Sequence, residues 1–246
     1  MTRAMRGRGA LRVVVILGIA GLVAGCVPAA GTDQGRSMFN LWQVFIGAGV
    51  VVGTLVWVLA TWALLRYRRR PDPLPRQVAG SLPLEIAWTA APLLTVLALF
   101  ALTLQTLGTV GATDASPGAV RLQVTAYRWG WTFVYPDSGV TVSSQPGSIP
   151  QVVLPVGTSI HVSLASQDVI HAFYVPGFLF KRDAIPGRVS EFDLRIAAPG
   201  TYGGACAEYC GVYHDAMPFE VRGVSTADFQ AWLASQPGAS QPGASP

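Results

Sequence analysis

Charge is scarce in this chain of 246 residues: Asp, Glu, Lys and Arg make up 12%, against 51% hydrophobic residues. A disordered chain has the reverse balance. An ordinary soluble domain carries about a quarter charged residues, so the composition points to membrane-embedded segments. Cysteine and histidine are also scarce, at 3 each, and no Cys-x-x-Cys-His occurs, which excludes an attached c-type haem. The net charge of +4 does not signify a nucleic-acid binder. Arg3, Arg6, Arg8 and Arg12 all precede the apolar run Val13–Gly25, and beyond residue 25 there remain 13 basic and 13 acidic residues. No basic stripe is left for DNA or RNA.

A positive stretch followed by a short apolar run reads as a secretory signal peptide over residues 1–25. The run has thirteen residues, too short to span a bilayer as an uncleaved helix, which needs roughly 20. It ends in Val23-Ala24-Gly25-Cys26, which resembles the bacterial lipoprotein box and makes Cys26 a candidate for lipidation.

Leu41 to Leu65 is 25 residues without a charge, and Ile86 to Leu107 is 22 more. Both are long enough to cross a bilayer. Pro92 inside the second is tolerable where neighbouring helices satisfy the freed carbonyl. The loop 66–80 carries Arg66, Arg68, Arg69, Arg70 and Arg76 against Asp72 alone, so it is expected on the cytoplasmic side. The expected layout is an external linker 26–40, an antiparallel transmembrane hairpin 41–107, an external domain 108–235 and a disordered Ser-Gln-Pro-Gly-Ala tail 236–246.

Residues 108–246 hold seven basic and ten acidic residues, net −3, which would suit a basic partner. Short runs rich in β-branched and aromatic residues mark strands at Val120–Ala126, Trp131–Tyr135, Gln151–Val156, Ser159–Ala165, Val189–Ile196 and Phe219–Val221. Such spacing suggests a sandwich or barrel. Thr226 reads as the N-cap of a helix over Ala227–Ser235. Tyr127, Trp129, Trp131, Phe133 and Tyr135 recur at every second residue, as if sharing one strand face.

The chemistry is concentrated in Cys206-Ala-Glu208-Tyr-Cys210-Gly-Val-Tyr-His214-Asp-Ala-Met217, with His171 as a further candidate ligand from another loop. Thiolate, imidazole and thioether together favour copper over hard cations. A disulfide between Cys206 and Cys210 would leave His214 and Met217 unexplained. Structural zinc has no use for Met. A mononuclear blue-copper site has one Cys fewer. Two bridging thiolates with two copper ions, a terminal His on each, Met217 on one and the Glu208 carbonyl on the other would use every donor. Disulfide and zinc remain the competing readings at this point.

Cys-x-Glu-x-Cys-Gly-x-x-His-x-x-Met closely resembles the copper-A loop of cytochrome c oxidase subunit II. Ser166–Pro176 around His171, Lys181-Arg-Asp-Ala-Ile-Pro-Gly-Arg188, and Leu84-Glu-Ile-Ala-Trp-Thr89 with Pro92 resemble further segments of that family, over roughly residues 38 to 234. The resemblance implies a cupredoxin-like Greek-key sandwich behind a two-helix transmembrane hairpin, and a dinuclear copper-A centre. Cys206 and Cys210 would bridge both coppers. His171 and Met217 would complete one copper, and His214 and the Glu208 carbonyl the other. The Glu208 side chain would bind magnesium at the contact with subunit I.

Trp129 would receive electrons from cytochrome c, although the family's Trp-Tyr-Trp is here Trp129-Gly130-Trp131. Glu85 would stand at the mouth of a proton path into subunit I. As a lone acid near the membrane boundary it could equally be a solvated cap. Asp137, Asp168 and Asp215 could face a basic cytochrome, and Asp168 could also orient His171. His161 matches no ligand position and reads as structural or surface.

The implied function is electron transfer from cytochrome c to the haem–copper subunit I of a proton-pumping oxidase that reduces oxygen to water. The complex would also contain subunit III and sit in the bacterial cell membrane with the copper domain outside. The rivals are a quinol oxidase subunit, which lacks the copper ligands, and a membrane-anchored copper-binding or chaperone protein of thioredoxin type, which needs βαβ units. A nitrous-oxide reductase domain would come without the two-span anchor, and a β-domain with a plain disulfide would not need the clustered ligands.

Overall fold

The computed structural model describes residues 30–68, 80–113, 118–145 and 148–237. The signal peptide 1–25, Cys26, most of the Arg-rich loop 66–80 and the tail from 238 lie outside the described residues.

Two long helices, α1 (Asp33–Arg66) and α2 (Leu82–Gly111), contain the two expected spans. They expose Val51, Trp57, Trp62, Leu94 and Phe100, as membrane-facing helices do. Their polar residues are satisfied within the helix, since Thr95 and Thr103 donate to the carbonyls of Ala91 and Leu99 at 2.9 and 2.8 Å. Pro92 leaves the Trp88 carbonyl without its helical donor. Ser37, Asn40, Leu41 and Val44 of early α1 share a groove with Leu102, Gln105, Thr106 and Thr109 of late α2, so the helices run antiparallel.

The linker expected over 26–40 ends early, because residues 33–40 are already helix. Asp33, Gln34, Arg36, Ser37 and Asn40 break the apolar run, so hydropathy does not mark this stretch. Thr32 does: its side chain accepts from the Gly35 N–H at 3.0 Å, and Asp33 favours the helix N-terminus. Gly31 donates to the Gly177 carbonyl (2.7 Å) and accepts from Ala197 N–H (2.9 Å), while Asp33 N–H donates to Arg195 O (3.1 Å). The start of α1 is thereby clasped to the external domain.

That domain is a sandwich of two five-stranded sheets, ordered β3-β2-β1-β5-β8 and β4-β10-β9-β6-β7. The strands are β1 (Val120–Tyr127), β2 (Gly130–Tyr135), β3 (Val140–Ser143), β4 (Gln151–Pro155), β5 (Ile160–Ser166), β6 (His171–Val175), β7 (Phe180–Ala184), β8 (Ser190–Leu194), β9 (Gly200–Cys206) and β10 (Phe219–Val224). β1 pairs in parallel with β5, and β4 with β10; the other pairings are antiparallel. This is the cupredoxin-like arrangement that the resemblance implies.

Alternation along β1, β5 and β10 turns Leu122, Val124, Val162, Leu164, Phe219 and Val221 inward. Phe219 sits at the centre of the core, with ring centroids 5.2 Å from Trp131, 5.5 Å from Phe133 and 4.9 Å from Phe173. Helix α3 (Thr226–Ser235) closes one end by packing Phe229 and Trp232 on Tyr135.

Three expectations change. β3, β6, β7 and β9 are additional strands. The cap of α3 is Ser225, whose side chain accepts from Asp228 N–H at 3.1 Å; Thr226 is the first helical residue. The five alternating aromatics do not share one strand, because Arg128 and Trp129 form the turn between β1 and β2. Only Trp131, Phe133 and Tyr135 lie together on β2 in the core. His161 is structural, as expected: its Nδ1 lies 2.7 Å from Asp193 Oδ1 on the neighbouring β8.

Candidate metal centre

The register brings the ligands together. β6 pairs with β9 so that Phe173 faces Cys206, which sets His171 beside the end of β9. Ala207 N–H donates to Ala172 O at 3.2 Å and starts the connection to β10 along that edge. This connection, residues 207–218, curls back in a short 3-10 turn, His214–Ala216, before β10. Gly211 gives it the required backbone, with φ +124. A Cβ there would lie 3.2 Å from the Trp129 ring, so the loop passes directly beneath that indole.

His171, Cys206 and Cys210 present ligand atoms within 4.8 Å of one another, and all three residues are buried. The two Sγ atoms are 4.0 Å apart and unbonded, so the disulfide reading does not hold in this structure. Cys206 Sγ lies 3.8 Å from His171 Nδ1 and 3.3 Å from the Glu208 carbonyl oxygen. Cys210 Sγ lies 3.5 Å from His214 Nδ1 and 3.5 Å from Met217 Sδ. All six expected donors therefore converge on one thiol pair. Two soft sulfurs, two imidazoles, a thioether and a carbonyl fit copper better than any hard cation.

The surrounding residues orient these donors. Asp168 Oδ1 lies 2.9 Å from His171 Nε2. With the Nε2 proton directed at that carboxylate, Nδ1 is the free lone pair facing the sulfurs. Asp168 also accepts from Val169 N–H at 2.6 Å, and from Arg128 N–H and Nε at 2.8 and 3.3 Å. Burial alone would raise the pKa of this carboxyl. The hydrogen bonds from His171, Val169 and Arg128 outweigh that and hold it at about 2. Trp131 Nε1 donates to the Met217 carbonyl at 3.0 Å and fixes the thioether from below. Burial, with the Cys206 thiol close by, pushes the Cys210 thiol up to about 11. Without metal it keeps its proton at neutral pH, and a bound cation must displace it.

Trp129 lies half-buried over this loop, with its ring 4.9 Å edge-on from Tyr213. Gly130, where the family pattern has Tyr, is covered by Tyr127: a Cβ at Gly130 would lie 2.8 Å from that ring. The cross-strand partner thus fills the space that the missing aromatic would take. The Glu208 carboxylate lies 3.2 Å from Lys181 Nζ. Glu85 stands in the first turn of α2, at the end of the hairpin remote from the sulfurs.

Arg128, Tyr213 and Lys181 are the contributors that spacing does not reveal. Each acts through a contact between distant segments. Only the position of Arg128 immediately before Trp129 would have drawn attention to it.

The family model described as "Cytochrome C oxidase subunit II, periplasmic domain" matches residues 147–224. The chain is 32% identical to the probable cytochrome c oxidase subunit 2 of Nocardia farcinica, covering 90% of this chain and 79% of that protein. It is 30% identical to cytochrome c oxidase subunit 2 of Mycobacterium tuberculosis, covering 93% of this chain and 82% of that one. Among solved structures, the periplasmic domain of subunit II of cytochrome oxidase from Bradyrhizobium japonicum is 32% identical, covering 50% of this chain and 96% of that chain, with a TM-score of 0.45.

Proposed function

This chain belongs to the cytochrome c oxidase subunit II family, and from that premise we propose that it is the electron-accepting subunit of a respiratory terminal oxidase, holding a dinuclear copper-A centre. The observation that carries this reading is the convergence of two imidazoles, a thioether and a carbonyl on two buried, unbonded thiols. Cys206 and Cys210, as thiolates, would hold the two coppers, with His171 and Met217 completing the donor set of one and His214 and the Glu208 carbonyl that of the other. Family resemblance, rather than sulfur distance, supports this pairing. Bound there, a copper pair would supply a one-electron store whose charge is shared, so that its bonds change little on reduction.

The protein's own residues do the rest. Trp129 receives the electron from reduced cytochrome c and lies against Gly211, next to Cys210. Asp168 and Trp131 hold His171 and Met217 so that little rearrangement accompanies transfer. Burial of the sulfurs excludes water. His214 and Glu208 face the haem–copper subunit I, which reduces oxygen to water, and the Glu208 carboxylate leaves Lys181 to bind magnesium there. Glu85 opens the proton path of the pumping complex. The two apolar helices anchor the chain in the bacterial cell membrane beside subunits I and III, with the sandwich outside, after removal of the signal peptide and lipidation of Cys26. A chaperone of thioredoxin type does not fit the two-sheet sandwich, and a quinol oxidase subunit would not retain the donor set.

The test is to purify the full chain in detergent, load it with copper, and record metal content and the electron paramagnetic resonance spectrum. Two coppers per chain, with hyperfine splitting from one electron shared equally by two nuclei, support the reading. A single-copper spectrum or stoichiometric zinc overturns it.

A further inference from the structure

Resting on that electron-transfer reading, we propose that Gly31, Thr32, Gly35 and Tyr202 are positioning residues. They lock the sandwich to the head of α1 and so hold the thiol pair at one fixed place over the membrane hairpin, from which electrons pass to subunit I.

The clasp grips the two strands that carry the buried ligands. Thr32 is fully buried and pairs with Ile196 in an antiparallel bridge. Its hydroxyl donates to the Phe178 carbonyl at 3.3 Å while accepting from Gly35 N–H. Capping a helix needs neither that burial nor the second bond. Gln34 Oε1 accepts from Arg195 N–H at 3.1 Å. Phe178 ends the short turn that follows β6, and its ring lies 4.9 Å from that of Tyr202 on β9. His171 opens β6 and Cys206 ends β9, so the donors lie at one end of this strand pair and the clasp at the other. Four residues of strand separate Tyr202 from Cys206, about 13 Å.

The contact is too close for any side chain. A Cβ on Gly35 would lie 2.3 Å from the Phe178 carbonyl oxygen. One on Gly31 would lie 2.6 Å from the Tyr202 ring and 2.9 Å from the Gly177 oxygen. To reach ordinary contact at Gly35, helix and sandwich must part by roughly 1 Å. Without the clasp, the connection 112–119 and the packing of Val110 would join the helices to the sandwich. Domains so joined move relative to one another. A misplacement of about 1 Å between reacting groups can cost about a hundredfold in rate.

The test has two arms. In the metal-free full chain in detergent, hydrogen exchange of the Gly31, Asp33 and Ala197 amides reads the clasp itself. These amides are expected to be protected like the strands. Thr32→Val should speed their exchange about fivefold, the scale of a lost cap, and Thr32→Ser should restore the protection. In the assembled oxidase, rapid mixing with a reduced soluble cytochrome c reads electron entry, and laser injection of one electron reads the onward step to the haem. Gly35→Val is expected to slow the onward step at least about tenfold, and Gly31→Ala at least about threefold. Copper content and the rate of electron entry should stay within about twofold, because the entry face is distant from the clasp. Gly31→Ala and Thr32→Val are mild enough to carry the comparison if Gly35→Val does not assemble.

An onward step at the wild-type rate in these variants overturns the proposal, since contact with subunit I would then set the position alone. So does a parallel fall of copper content, entry and onward transfer, which marks plain destabilisation. Amides that exchange like exposed loops in the wild-type chain overturn it as well. If the wild-type complex shows no copper-pair spectrum, the electron-transfer reading fails and the positioning role with it. If the spectrum is present and only the split between entry and onward transfer is missing, the positioning proposal alone fails.

Discussion

Replacing Asp168 with Asn removes one charge and almost no volume. In the folded chain this carboxyl is held at about 2, against an ordinary 3.8. It is one-quarter exposed or less, so the separation of nearly two pH units converts to about 2 kcal/mol of stability at neutral pH. Because the folded value lies below the unfolded one, that stability is fully present above about pH 4 and disappears as the pH falls through about 2. For a domain of this size about 2 kcal/mol corresponds to roughly 5 °C in Tm. Metal-free wild-type and Asp168→Asn chains should therefore melt about 5 °C apart at pH 7, followed by near-ultraviolet circular dichroism of the buried Trp131. The gap should narrow from pH 4 downward and close near pH 2, with the variant flat across that window. Equal melting temperatures at pH 7, or a gap that persists at pH 2, would refute the assigned role of the His171, Val169 and Arg128 hydrogen bonds.

Trp131→Phe keeps an aromatic in the core but deletes the N–H that holds the Met217 carbonyl. A lost buried bond of about 1–1.5 kcal/mol should speed copper release to a chelator by about tenfold, while a dinuclear spectrum persists. Phe229→Ala empties a buried ring between α3 and Tyr135 and should cost about 3–5 kcal/mol in denaturant unfolding with the copper spectrum unchanged. Glu85→Gln should slow oxygen turnover and proton release in the assembled complex without altering copper content. Unchanged turnover would make Glu85 a plain helix-end acid.

Much of the site was legible because its donors are local. Cys206, Glu208, Cys210, His214 and Met217 lie within twelve residues, and their softness narrows the metal before any fold is known. His171 was legible only as a further candidate, by residue type and then by resemblance, since the β6–β9 register that brings it to Cys206 is a long-range pairing. Two of the missed strands share a physical cause. β9 is rich in glycine and small residues, and β7 carries Lys181, Arg182 and Asp183, so neither shows apolar alternation. Their place comes from neighbours in the sheet, not from their own propensity. α1 begins at Asp33 because a cap marks a helix end where hydropathy marks only the membrane core. The pairing of Asp137 with Arg121 and of Asp168 with Arg128 was invisible for the same reason as the register.

The central claim, that electrons reach subunit I through the thiol pair of this chain, is tested most directly by rapid mixing of the assembled oxidase with reduced cytochrome c. Wild-type complex should show the copper band bleaching before the haem of subunit I is reduced. A Cys210→Ser complex, which keeps the fold but loses a bridging thiolate, should lack the band and reduce its haem at least a hundredfold more slowly, about 2.7 kcal/mol in the barrier. Haem reduction at the wild-type rate in that variant would contradict the account.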